Sequence, residues 1–274
     1  MTRIISASFT PEKKEWFEKF LRFGFISKGV VYCLLGILTV MAAIGLRGDN
    51  GSKEQAFKLI YDQPFGKVIL AILTIGLLGY VTLRFFQCFK DSDGKGNDVK
   101  GLITRIGYGL SALLYLSLGV YAIKLLIGSS GGSGGKSREF IAAKVLEWPG
   151  GEWILGITAV IIIASGVNQI YKGVSKKFMK KIMGVIRSGK EKMFENAGMI
   201  GYIARGIVLG IIGYMLLHGA ITANPSEAKG TDQAFDFLEN TFGSLMMGVV
   251  AFGLVAYGVF MFVKAKYQNI NVKL

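Results

Sequence analysis

The residues that could carry polar chemistry are few. His218 is the only histidine, and Cys33 and Cys88 are the only cysteines. No HExxH motif and no clustered imidazole or thiolate ligands can therefore be assembled, and a proton relay through a second imidazole is ruled out. His218 falls near the end of an apolar stretch, where hydrogen bonding at a membrane interface accounts for it. Cys33 lies inside such a stretch and Cys88 near the end of one, which does not suggest a disulfide framework. No serine, histidine and acid set is present, and no apolar stretch holds paired carboxylates. Glu152 stands at the first turn of one stretch, where a helix N-terminus accommodates an anion. Gly135-Lys136-Ser137 echoes a phosphate loop, but it closes a Gly/Ser run from Ser129 with no strand before it, so it reads as linker. No enzymatic activity, cofactor or metal is expected.

The informative charges are cations within apolar stretches, and they recur by position. Gly24 to Gly36 reads GFISKGVVYCLLG, Gly107 to Gly119 reads GYGLSALLYLSLG, and Gly201 to Gly213 reads GYIARGIVLGIIG. Each has glycine at both ends, an aromatic second (Phe25, Tyr108, Tyr202) and a small residue sixth (Gly29, Ala112, Gly206). A second apolar stretch follows each, beginning near Gly66, Gly151 and Gly243 and sharing a small residue thirteen positions on (Gly79, Ala164, Ala256). In this register Lys28 and Arg205 are equivalent, with Ser111 in the middle copy. Arg22 and Arg105 are equivalent two residues before the first glycine, and Gln87, Lys172 and Lys264 correspond at the ends of the second stretches. Lys28, Arg205, Arg22 and Arg105 are candidates for holding an anion or a lipid headgroup at one depth; snorkelling to the headgroups explains the same cations without a ligand.

These residues need elements to hold them. The six stretches are each about 20 residues long, enough to cross a bilayer as helix. Composition agrees: the chain is 51% hydrophobic and 18% charged, with a mean hydropathy of +0.46. The fold expected is all-α, a polytopic membrane protein of six transmembrane helices arranged as three pseudo-threefold-related hairpins. The boundaries read as an amphipathic helix over 1–23, repeats over 24–90, 103–172 and 197–266, and a basic amphipathic linker helix over 173–196. Gly24, Gly29, Gly36, Gly107, Gly119, Gly201, Gly206 and Gly213 are expected to let neighbouring helices approach closely. In the linker, Val174, Phe178, Ile182 and Ile186 form an apolar stripe flanked by Lys176, Lys177, Lys180, Lys181 and Arg187, which suits a helix lying on an anionic leaflet. Ser52 and Gln55 have capping-box spacing, so a short helix is expected between the first two spans.

The net charge of +14 would suggest nucleic acid in a soluble chain, but here its placement is the signal. With the N-terminus inside, 21 of the 32 Lys and Arg fall on the inner side against 8 outside, so both termini are expected in the cytoplasm. No cleavable secretory signal is expected at the start of the chain.

The G-aromatic-x-x-[KR]-G-x-x-Y core, intact in GFISKGVVY and partial in the other copies, followed by an FG-led second span, resembles the bacterial family known as domain of unknown function 1206. The resemblance covers nearly the whole chain and implies a six-span inner-membrane protein with no known activity. Ser111 in place of the cation and Leu209 in place of Tyr32 and Tyr115 argue against three identical half-sites. Mitochondrial carriers also have three hairpins, but they place proline in each odd span. Here Pro11, Pro64, Pro149 and Pro225 all lie outside the spans. Two functions remain open: a scaffold or accessory subunit acting on membrane-protein partners or anionic lipids, and a channel or carrier for a small anionic solute along the pseudo-threefold axis past Lys28, Arg205, Asn168 and Gln169. No nucleic-acid partner is expected.

Overall fold

Proline at a first helical position costs nothing, because its missing N–H would be unpaired there anyway, and α1 begins on one: Pro11–Ala43. The other helices are α2 (Lys53–Tyr61), α3 (Gly66–Phe89), α4 (Val99–Leu126), α5 (Gly134–Leu146), α6 (Gly151–Val174), α7 (Glu191–Ile221) and α8 (Thr231–Tyr267). They come from a computed structural model, which describes residues 11–46, 51–91, 94, 96–128, 134–179 and 191–268. Among the described residues there is no strand, and α1, α3, α4, α6, α7 and α8 are long and apolar enough to cross a membrane. The protein is an all-α, multi-pass membrane protein of three repeated helix pairs.

Local chemistry sets the short outer helices. Ser52 Oγ accepts from Gln55 N at 3.0 Å while Ser52 N donates to Gln55 Oε1 at 3.2 Å, a complete capping box at the start of α2. In the third repeat the outer helix and the span are one element, α8, kinked at Gly243 where φ is 84°. The corresponding junctions before α3 and α6 also need a left-handed residue, Phe65 at φ 60° and Gly150 at φ 77°. Phe57 on α2 and Phe235 on α8 are fully buried, so these outer helices are part of the core.

The six spans form an incomplete ring. α1 packs between α8 and α3, α4 packs on α3, and α7 packs between α6 and α8, but α4 and α6 barely meet. The first helix of each repeat thus lies against the second helix of the repeat before it. Two of these contacts are of the small-against-small kind. A Cβ built on Gly29 would stand 2.9 Å from Gly258 O, and one on Gly206 would stand 2.8 Å from Gly166 O, at the same positions of their repeats. A Cβ on Gly36 would stand 2.7 Å from Ala251 O, and one on Gly213 would stand 3.0 Å from Ile163 N. A Cβ built on Gly24 or Gly201 would stand 2.4 or 2.6 Å from the backbone N of Tyr80 or Tyr257, again equivalent residues.

The middle repeat departs from this pattern. A Cβ on Gly107 would meet only Ser165 Oγ, at an ordinary 3.7 Å, and one on Gly119 would have nothing within 4 Å, so the close packing expected at these two glycines is not made. Serine in the place of Tyr80 and Tyr257 is too small to fill the contact. The middle hairpin is accordingly splayed.

Two boundaries also differ from expectation. The N-terminal amphipathic helix is not separate, since α1 runs unbroken through residues 23 and 24 because nothing between Pro11 and Ala43 interrupts it. The linker helix does not continue from Val174. Ser175 caps α6, Lys176 turns left-handed at φ 53°, and Phe178 and Met179 are buried. Phe178 stacks on Tyr202 at 5.1 Å and meets Phe260 edge-on at 5.0 Å, and Gly198 leaves room for it. Its ring therefore serves the bundle instead of a leaflet. Lys176 pairs with Glu195, and Lys177 donates to the Tyr171 hydroxyl. Lys180, Lys181 and Arg187 lie outside the described residues.

Candidate functional site

A lysine inside a membrane bundle needs partners for a charge that hydrocarbon cannot solvate. Lys28, near the middle of α1, is 1% exposed, and its Nζ donates to the Tyr80 hydroxyl at 2.7 Å. Four tyrosine rings surround it, with centroids 4.4 Å (Tyr80), 5.1 Å (Tyr115), 5.3 Å (Tyr257) and 5.8 Å (Tyr32) away. This side chain does not snorkel. Tyr80 stands nine residues inside the end of α3, about 14 Å of helix rise.

Two arginines complete the cluster. Arg205 on α7 donates from Nε to the Tyr32 hydroxyl and from a terminal nitrogen to the Tyr257 hydroxyl, both at 3.0 Å. Arg84 on α3 donates to the Tyr80 hydroxyl and to Gln87 Oε1, both at 2.7 Å, and its guanidinium lies 4.9 Å from the Tyr108 ring. Tyr115 donates to the Tyr32 hydroxyl at 3.2 Å. From α2, Lys53 places its ammonium 5.5 Å from the Tyr32 ring and 5.4 Å from the Tyr115 ring. Every hydrogen-bond partner of Lys28, Arg84 and Arg205 is a tyrosine or Gln87, and no carboxylate pairs with any of the three among the described residues.

The repeat explains the geometry. Lys28 with Tyr80 and Arg205 with Tyr257 are the same cation-to-hydroxyl bond in repeats one and three. Tyr80 with Tyr115 and Tyr257 with Tyr32 are the same edge-to-face pair across successive repeats, each with centroids 4.8 Å apart. The third sector would need partners at Ser111, Ser165 and Leu209, which can make neither bond. Two spokes of a three-spoke wheel are built, and the third is missing where α4 and α6 part.

The other candidate residues do different work. Arg22 donates to Ala265 O at 2.9 Å and Lys266 O at 3.2 Å, closing the last turn of α8. Arg105 donates to Cys88 O at 2.8 Å and Phe89 O at 3.2 Å, closing the last turn of α3. Each arginine thus satisfies carbonyls at the C-terminus of the helix its own helix packs on, a favourable place for a cation. They are separate from the Lys28 and Arg205 cluster. Asn168 is exposed, and Gln169 is half-buried with an unpartnered Oε1; neither bonds to the cluster.

Tyr80, Tyr257, Arg84 and Lys53 were not assigned a role from sequence. Tyr80 and Tyr257 could have been found, since both stand fourteen residues after the aligned glycines Gly66 and Gly243. Arg84 is the only cation deep in a second span, which was a signal of its own. Lys53 gave no signal, because its reach depends on how α2 folds back.

Beyond the axis toward α2, Phe57 and Phe235 fill space, and Tyr32, Tyr80, Tyr115 and Tyr257 are all 5% exposed or less.

No solved structure matches the chain. An uncharacterized protein, YxxB, of Bacillus subtilis (strain 168) is 35% identical over 263 residues, covering 95% of this chain and 94% of that protein. The family described as Domain of Unknown Function (DUF1206) matches three times, over residues 23–91, 106–176 and 200–268, which are the three helix pairs that build the wheel. With that threefold match spanning its membrane helices, the chain belongs to the DUF1206 family.

Proposed function

We propose that this protein is a non-enzymatic inner-membrane protein, with both termini in the cytoplasm, that binds an anionic group within the bundle at Lys28, Arg84 and Arg205. One observation carries the reading: three cations gather deep in the spans with no carboxylate among their partners in the described residues. Tyrosine rings and hydroxyls offset part of the cost of each buried charge, at about 0.5–2 kcal/mol per cation–π contact. They supply no net negative charge. A bound anion would, and its oxygens would accept from guanidinium and ammonium donors.

Of the two roles weighed from sequence, this favours an accessory or lipid-handling protein over an axial channel. The burial of Phe57, Phe235 and the four tyrosines around Lys28 supports this preference, since a conducting axis would expose such side chains to water. A membrane-protein partner remains part of the proposal, with identification of what co-purifies at native expression as its check.

The test of anion binding is thermal melting of the full chain in mild detergent with phosphate, sulfate or chloride at constant ionic strength. Phosphate or sulfate should raise the melting temperature of the wild type and leave that of Arg205→Gln unchanged. Equal shifts in both proteins would remove the site.

A further inference from the structure

Resting on that reading, we infer that the group held at the cation cluster is the headgroup of an anionic phospholipid, which enters sideways between α4 and α6 and leaves its acyl chains in the bilayer.

The argument begins with which cations remain reachable. Lys28 is sealed, but Arg84 and Arg205 are only partly buried. Both guanidiniums bond to buried tyrosines gathered around Lys28 in the ring's interior. That interior has one unclosed side. Five of the six neighbouring pairs of spans pack along their length, whereas α4 and α6 barely meet.

The residues on that side are the small ones of the middle repeat. Ser111 stands where the other repeats have Lys28 and Arg205, and Ser165 stands where they have Tyr80 and Tyr257. Ser111, Ser165 and Tyr108 are all half-buried, whereas the residues equivalent to Tyr108, Phe25 and Tyr202, are buried. The missing third spoke is therefore a gap beside half-buried polar groups, one of which, the Tyr108 ring, lies 4.9 Å from the Arg84 guanidinium.

An occupant must match both ends of this gap. At its inner end it must be anionic with several acceptor oxygens, because five-donor guanidiniums recognise phosphate and carboxylate. At its outer end it must be apolar, because Leu113, Leu114, Ile157 and Val160 on α4 and α6 are exposed where the helices face hydrocarbon. A phosphodiester carried on acyl chains meets both demands. Free phosphate meets only the first.

The experiment is native mass spectrometry of the full chain with phosphatidylglycerol and with phosphatidylcholine, run alongside melting with inorganic phosphate. Three proteins are compared: wild type, Arg205→Gln and Ser165→Tyr, the last restoring in the middle repeat the residue the other repeats carry. Wild type should retain phosphatidylglycerol at least about tenfold over phosphatidylcholine, a difference of about 1.4 kcal/mol. Arg205→Gln should lose that preference. Ser165→Tyr should lose the lipid but keep the phosphate-induced melting shift. If Ser165→Tyr does not yield folded protein, Ser111→Leu on the facing helix serves the same purpose. Phosphate stabilisation without a preference for phosphatidylglycerol overturns the lipid assignment and leaves the anion site standing. Loss of both responses in the wild type overturns the two together, and full lipid retention by a folded gap-filling variant overturns the sideways route.

Discussion

Replacing Lys28 with methionine should stabilise the empty protein while abolishing its response to anions. The substitution keeps the unbranched stem and removes the charge. What is lost is one charge-assisted hydrogen bond to Tyr80, worth about 1.5–3 kcal/mol, and cation–π attraction, worth about 0.5–2 kcal/mol per well-placed ring. What is relieved is the cost of a lysine charge deep in a bilayer, about 3 kcal/mol on insertion scales, and its repulsion from Arg84 and Arg205. The Tyr80 hydroxyl is not orphaned, because Arg84 donates to it at 2.7 Å. Replacement of a buried charge by a well-packed apolar side chain is often neutral or stabilising by about 1–4 kcal/mol. Taking about 1 kcal/mol as the net gain, the melting temperature should rise by about 2–4 °C for a chain of this size. The assay is thermal melting in mild detergent after exchange into a buffer of large neutral solutes, with and without phosphate. A drop of more than about 8 °C would refute the reasoning, because it would make Lys28 a structural prop whose bonds outweigh its desolvation. A rise accompanied by an undiminished phosphate response would refute its role in binding.

Gly29→Leu should destabilise severely, by more than about 3 kcal/mol, since a Cβ there already lies 2.6 Å from the Phe262 ring and 2.9 Å from Gly258 O. Gly119→Ala should instead be neutral or gain about 0.5–1 kcal/mol, having nothing within 4 Å; melting of both variants checks the contrast. Arg22→Ala and Arg105→Ala should each cost about 1–3 kcal/mol by freeing the last carbonyls of α8 and α3, without changing the melting shift caused by phosphate. In a background lacking Cys33 and Cys88, an impermeant thiol reagent applied to spheroplasts should label a cysteine at Ser133 and spare one at Ser188, the pattern set by the positive-inside count. The reverse pattern would invert the topology.

Composition and spacing alone were enough for the class and the repeat. Six apolar segments of spanning length leave little choice but helices, because hydrocarbon offers no partners to an unpaired backbone. The recurrence of Gly24, Gly107 and Gly201 marked the unit, since a repeat that folds alike keeps its small residues at the same points of approach. It also singled out Lys28 and Arg205 as equivalent. It could not say where those side chains point, because a lysine four carbons long can reach a headgroup or turn inward, and only the neighbours on α3, α4 and α8 decide. Tyr80, Tyr115 and Tyr257 come from three helices far apart in the chain, and their convergence on one ammonium follows from each first helix packing on the preceding repeat. The same tertiary order turned Arg22 and Arg105 into caps for helices that sequence spacing does not connect to them. It also gave the substitutions at Ser111 and Ser165 their consequence. In sequence they are small departures from a motif, but in the ring they remove one spoke and leave α4 and α6 barely meeting.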